Sequence, residues 1–181
     1  MTRYVAFLRG INVGGHTVTM DRLRRVFQDL GLSAVSTFIA SGNVLFEAQR
    51  EAPQDLERRI EAGLRQALGY EAATFVRSDA EIAEVAGFAP FPDAESRPGD
   101  TAYILFLQRA PDAATRGRVE GLSNEDNRFR VHQRELYWLR RGRLSDSTIK
   151  DADLARALGK AQVTARNANT VRRLAAKLWP S

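Results

Sequence analysis

Apolar residues fall along the chain in short runs whose spacing switches between strand and helix periods. Tyr4, Val5, Phe7 and Leu8 sit within residues 3–9, a run suited to a strand buried on at least one face. A glycine-rich loop follows. Met20, Leu23, Val26, Phe27 and Leu30 then recur at helical spacing, with Arg22, Arg24, Arg25 and Asp29 on the other side and Gly31 as a stop. Residues 34–40 and 44–48 spell two strands around Ser41-Gly42-Asn43, which reads as a hairpin turn. Pro53 opens a second helix, with Leu56, Ile60, Leu64 and Leu68 four apart and Gly69 after them, and residues 73–76 form a fourth strand. The order βαββαβ over residues 1–77 predicts the split-βαβ arrangement, two helices on one face of a four-stranded antiparallel sheet.

The second half echoes the first. Ser78 and Glu81 make a capping box for a short helix carrying Ile82 and Val85. Pro90, Pro92 and Pro98, with Gly87 and Gly99, mark residues 87–100 as an irregular connection, so the expected division is 1–86, 87–100 and 101–181. Tyr103-Ile104-Leu105-Phe106-Leu107 repeats the character of Tyr4-Val5-Ala6-Phe7-Leu8, and Pro111 opens a helix ending near Leu122. Residues 128–133 and 136–139 form a hairpin, Leu154 and Leu158 belong to a short helix ended by Gly159, and Val171, Leu174 and Leu178 define the stripe of the last helix. This half reads as βαββα with helical additions.

Composition narrows the chemistry. The 181 residues carry a formal charge of +5, unevenly placed. Residues 1–90 hold 10 Arg against 11 acids, whereas residues 128–181 hold 10 Arg and 3 Lys against 4 acids. The absence of cysteine excludes disulfides, thiolate metal sites and a cysteine nucleophile, and two histidines are too few for a His-rich metal site. No metal or cofactor is indicated. Residues 1–10 lack a signal pattern, and no apolar run approaches the ~20 residues of a membrane span, so a cytoplasmic protein without a membrane partner is expected.

Three stretches carry a resemblance. Leu8-Arg9-Gly10-Ile11-Asn12-Val13-Gly14-Gly15, Ser41-Gly42-Asn43-Val44-Leu45-Phe46 and Thr164-Ala165-Arg166-Asn167-Ala168-Asn169-Thr170, in this order and at this separation, resemble domain-of-unknown-function family 1697, an uncharacterised bacterial family. The third departs from the usual pattern at Ala168, where an aromatic commonly follows the Arg-Asn pair. If that aromatic stacks on a ligand, this chain has lost the contact or supplies it from elsewhere. The resemblance implies an α+β fold of two ferredoxin-like, βαββαβ-type halves with antiparallel sheets and extra C-terminal helices. It implies no activity.

Each stretch offers candidate ligand-binding residues. Gly10 to Thr17 comes near a phosphate-binding P-loop, with His16 in place of the lysine, but the helical period begins only at Met20, too late for helix amides to hold a phosphate. Glycines making a tight loop, or a polar site using Arg9, Asn12, Gly14 and Gly15, remain. At the expected hairpin tip, Ser41 and Asn43 either form a plain turn or present a hydroxyl and an amide. In the third stretch, Thr164, Asn167 or Asn169 caps the last helix, with Thr170 in its first turn, and Arg166 adds a donor fork beside an anion-favouring helix start. Ser147-Thr148-Ile149-Lys150 matches S-x-x-K without the companion motifs of serine acyl-enzymes. Neither histidine is placed as a base, and Asp151 and Asp153 read as helix-start carboxylates.

These residues favour binding of a small anionic ligand bearing a phosphate or carboxylate, with no catalytic residue assignable. A nucleic-acid reading rests on the basic third, where Arg128, Arg130, Arg134, Arg140, Arg141, Arg143, Arg172 and Arg173 interleave with Tyr137 and Trp138. A third reading is a protein-interaction module. Oligomeric state is not encoded in any of these patterns.

Overall fold

The computed structural model describes residues 1–94, 97–142 and 147–178, and Ser41 by its backbone alone. The chain divides into two units, residues 1–84 with 178–181, and residues 85–177. Both use one element order. The first runs β1 (Thr2–Arg9), α1 (Met20–Asp29), β2 (Ser33–Phe38), β3 (Ala40–Ala48), α2 (Pro53–Leu68), β4 (Ala73–Ser78) and α3 (Asp79–Gly87), α3 crossing the division. The second repeats it as β5 (Thr101–Leu107), α4 (Ala113–Glu120), β6 (Asn127–His132), β7 (Glu135–Arg140), α5 (Asp151–Leu158), β8 (Val163–Asn167) and α6 (Ala168–Leu178). The sheet orders correspond, β2-β3-β1-β4 and β6-β7-β5-β8, and every pairing is antiparallel.

This is the expected α+β fold of two ferredoxin-like halves, each followed by a further helix. The central strands explain why their sequences do not alternate. In β1, Tyr4, Ala6 and Leu8 join the core with Leu23 and Phe27 of α1 and Leu56, Ile60 and Leu64 of α2, while Val5 and Phe7, on the opposite face, are also fully buried. A strand covered on both faces needs a continuous apolar run. In the second unit, Leu105 and Leu107 pack with Val119, Leu154 and Leu158.

Edge strands need another solution, because one row of their amides faces away from the sheet. Along β4, the N–H groups of Thr74 and Val76 donate to Glu61 Oε1 and Glu57 Oε1, each at 2.9 Å, from two consecutive turns of α2. Along β6, Val131 N donates to Glu120 Oε1 at 2.8 Å and Phe129 N to Ser123 Oγ at 2.9 Å. Helix ends follow familiar chemistry. Thr19 caps α1, Asp112 caps α4 with its carboxyl held below the ordinary range by the Thr115 amide, and Ser78 and Glu81 form the expected reciprocal pair.

Two local readings are corrected. The β2–β3 turn lies at Ile39, not at Ser41-Gly42-Asn43, which is part of β3. Pairing steps from Thr37↔Val44 to Phe38↔Ala40, so residues 41–43 bulge, and the Asn43 side chain donates to Phe38 O at 3.1 Å across the bulge. Gly and Asn suit a bulge for the same reason that they suit a turn. The second correction concerns residues 163–167, where the βαββα reading of the second half places no strand. They form β8, hydrogen-bonded to β5 in register Tyr103↔Asn167 through Leu107↔Val163.

Superposing the two strand registers makes Arg77 and Arg166 equivalent, opposite Val5 and Ile104 respectively. Each Nη1 donates to the carbonyl of the preceding residue, Val76 at 2.9 Å and Ala165 at 2.8 Å.

Glu57 is buried, so truncating it strands a buried amide of β4. Glu57→Ala is expected to lower stability by about 1–3 kcal/mol. Glu57→Gln, which keeps an acceptor oxygen, should lose less than half as much, measured as urea unfolding midpoints at constant slope.

Candidate functional site

In the first unit, the end of β1 and the beginning of β3 share one end of the sheet. Phe7 pairs with Asn43, so the bulge at 41–43 runs beside the end of β1 and the start of the glycine loop. The structure thus brings the first two family-like stretches together. Gly10 turns the chain with φ +78°, and Gly14 and Gly15 take φ +63° and +81°, a left-handed pair that side chains would strain. Three contacts fix the loop. Tyr70 Oη donates to Ile11 O at 2.6 Å, Val18 N donates to Asn12 Oδ1 at 2.9 Å, and the His16 ring stacks on Tyr70 at 4.1 Å.

These contacts define what the candidate residues do locally. Asn12 ties the loop closed, and Asn43, 3% exposed, holds the bulge. Arg9, Gly14 and Gly15 are exposed at this end of the sheet, whereas the Ser41 side chain lies outside what the structure describes. The helix begins at Met20 with Thr19 as its cap, leaving Gly15 four residues short of it, so no P-loop cradle forms. Ile39, a β-branched residue, stands 55% exposed at φ +63°. Such a conformation is costly for a branched side chain.

In the second unit, the third stretch is a strand-to-helix junction. Arg166 and Thr164 project from one face of β8, where Arg166 Nη1 donates to Thr164 Oγ1 at 2.7 Å. Burial lowers the Arg166 pKa to about 10. Asn167, rather than Thr164, caps α6, its Oδ1 accepting from Asn169 N at 2.9 Å, and Thr170 follows within the first turn.

A cleft that no sequence pattern announced adjoins this junction. It spans about 360 Å3, including space open to solvent. Phe88 and Phe91 form one wall, Ile104 and Tyr137 line it from β5 and β7, and Ala168 and Arg172 line it from α6. Arg166 lies opposite Ile104 in the sheet register. The only advance sign was Ala168 itself, small where the resemblance leads one to expect an aromatic; its side chain is buried against the cleft.

The remaining candidates have local partners. Tyr4 and Phe7 are both buried, so β1 presents no stacking surface. Within the basic third, Arg140 is 6% exposed and lies over the Tyr103 ring, Arg128 lies over Phe91, and Arg134 donates to Gln108 O. Arg143 lies outside the described residues. Ser147 of the S-x-x-K stretch donates to Asn127 Oδ1 at 3.2 Å. Among the described residues no three His, Asp or Glu side chains group as metal ligands, and no helix is long and apolar enough to cross a membrane.

The family described as "Protein of unknown function (DUF1697)" matches residues 1–137. The chain belongs to this family. The match takes in the glycine loop and the bulge, while the β8–α6 junction lies beyond it. Among solved structures, this DUF1697 protein is similar to the conserved bacterial protein SP0830 from Streptococcus pneumoniae, with a TM-score of 0.77 and 24% identity over 98% of both chains. That likeness concerns the fold. No curated protein matches the chain.

Relieving the strain at Ile39 tests whether the bulge is held by its neighbours. Ile39→Asn, which tolerates the left-handed region, is expected to raise stability by about 1 kcal/mol. Differential scanning calorimetry would read this as a higher Tm; an unchanged or lower Tm would show that the Ile side chain stabilises the tip.

Proposed function

We propose that this protein binds a small anionic ligand, bearing a phosphate or carboxylate, at the β8–α6 junction. One observation carries the reading. Arg166 is a positive charge in a position where burial lowers its pKa, immediately before the start of α6, and it is held beside Thr164 Oγ1 at 2.7 Å. A buried cation is stabilised more by an anion than by neutral groups. Asn167, Thr170 and the first amides of α6 complete the ligand's surroundings in this reading, since helix-start dipoles favour negative charge. In the first unit, Arg9, Asn12, Gly14, Gly15, Ser41 and Asn43 belong to the proposal as a second polar face, on which Arg9, Asn12 and the Gly14–Gly15 pair are exposed. The reading assigns no reaction, because the junction presents no nucleophile paired with a base.

The pKa shift sets the sign of the test. A base whose folded pKa falls below its unfolded value makes folding costlier at every pH below about 10, and the cost fades only as pH rises above about 10. At neutral pH and without ligand, Arg166→Met is therefore expected to stabilise the chain by about 1–3 kcal/mol. Inorganic phosphate, compared with chloride at equal ionic strength, should raise the Tm of the natural chain and leave that of Arg166→Met unchanged. Equal phosphate responses in the two proteins would refute the assignment.

A further inference from the structure

The cleft in the second unit has walls and a rim of different chemistry. Its walls are aromatic and already braced from outside. Phe88 stacks face to face on His132 at 4.1 Å and meets Tyr137 at 5.0 Å, while the Arg128 guanidinium covers the Phe91 ring at 5.0 Å. Rings held in this way cost little further ordering when a ligand enters. Ala168 and Arg172 stand four residues apart on α6 and so share one helix face. The methyl of Ala168 leaves the space open, and Arg172, exposed and held by Asn169 Oδ1 at 2.9 Å, brings a positive charge to the same cleft. No carboxylate stands among the described residues that line it.

We infer that this cleft takes a small planar aromatic acid, its ring against the wall formed by Phe88 and Phe91 and its carboxylate towards Arg172. The size agrees. The cleft, about 360 Å3 with its solvent-open space included, accommodates a single ring with its acid group. Offset and edge contacts with aromatic walls favour a planar ring over an aliphatic chain of the same volume. The inference rests on the anion reading for the ligand's charge alone; the ring, the place and the Arg172 contact come from the cleft.

Isothermal titration calorimetry with benzoate, benzyl alcohol and inorganic phosphate tests it, alongside the Trp138 indole signal by NMR. Benzoate is expected to bind at least fivefold more tightly than benzyl alcohol and to shift the Trp138 signal. Arg172→Gln, an exposed change, should erase that fivefold preference. Ala168→Leu, which fills the cleft, should abolish benzoate binding, and Arg172→Gln should leave the phosphate response at Arg166 intact. Absence of benzoate binding, equal binding of the alcohol, or full benzoate binding by Ala168→Leu would each overturn the proposal. Benzoate binding without any phosphate response supports the cleft and removes the Arg166 reading, so the two fail separately.

Discussion

Each unit is organised around a central strand, β1 or β5, that is hydrogen-bonded on both sides. For β1, burial extends to both faces, so its backbone groups have no access to water and must all be paired within the sheet. That constraint fixes the neighbours β3 and β4 and leaves the outward amides of β4 and β6 to be satisfied by helix carboxylates and a serine. Glu57 and Glu61 thus connect the helical layer to the sheet edge as firmly as the apolar contacts do. With the sheet interiors committed to packing, polar groups collect at strand ends and at strand–helix junctions, where the family-like stretches lie.

Several of those polar residues serve the backbone. Asn12 accepts from Val18 N, Asn43 donates to Phe38 O, and Asn167 accepts from Asn169 N. An asparagine carries both a donor and an acceptor, which lets one side chain close a loop or steady a bulge without a charge. The distinctiveness of the first two stretches has a structural cause in these bonds. Charge, by contrast, is left for other work at Arg166 and Arg172, in the second unit.

Most of the architecture was legible because long-period signals dominate it. The apolar spacing of α1 and α2, Pro53 at the start of α2 and the Ser78–Glu81 pair all act locally, and the structure keeps them. The errors arose where one local chemistry serves two geometries. Ser41-Gly42-Asn43 fits a turn as well as a bulge, and only the cross-strand partner of Asn43 separates them. Residues 163–167 contain a single large apolar side chain, Val163, so nothing in their pattern marks a strand; pairing with β5 makes them one. The cleft was not legible at all, because its walls come from residues 85–91, two strands and α6, whose meeting is purely tertiary.

The two copies differ most in their helices. In the first unit α1 and α2 run for 10 and 16 residues, whereas α4 and α5 run for 8 each over a sheet of the same order. Fewer helical residues lie over the sheet in the second copy. Amide hydrogens of β5 to β8 are therefore expected to exchange with solvent sooner than those of β1 to β4.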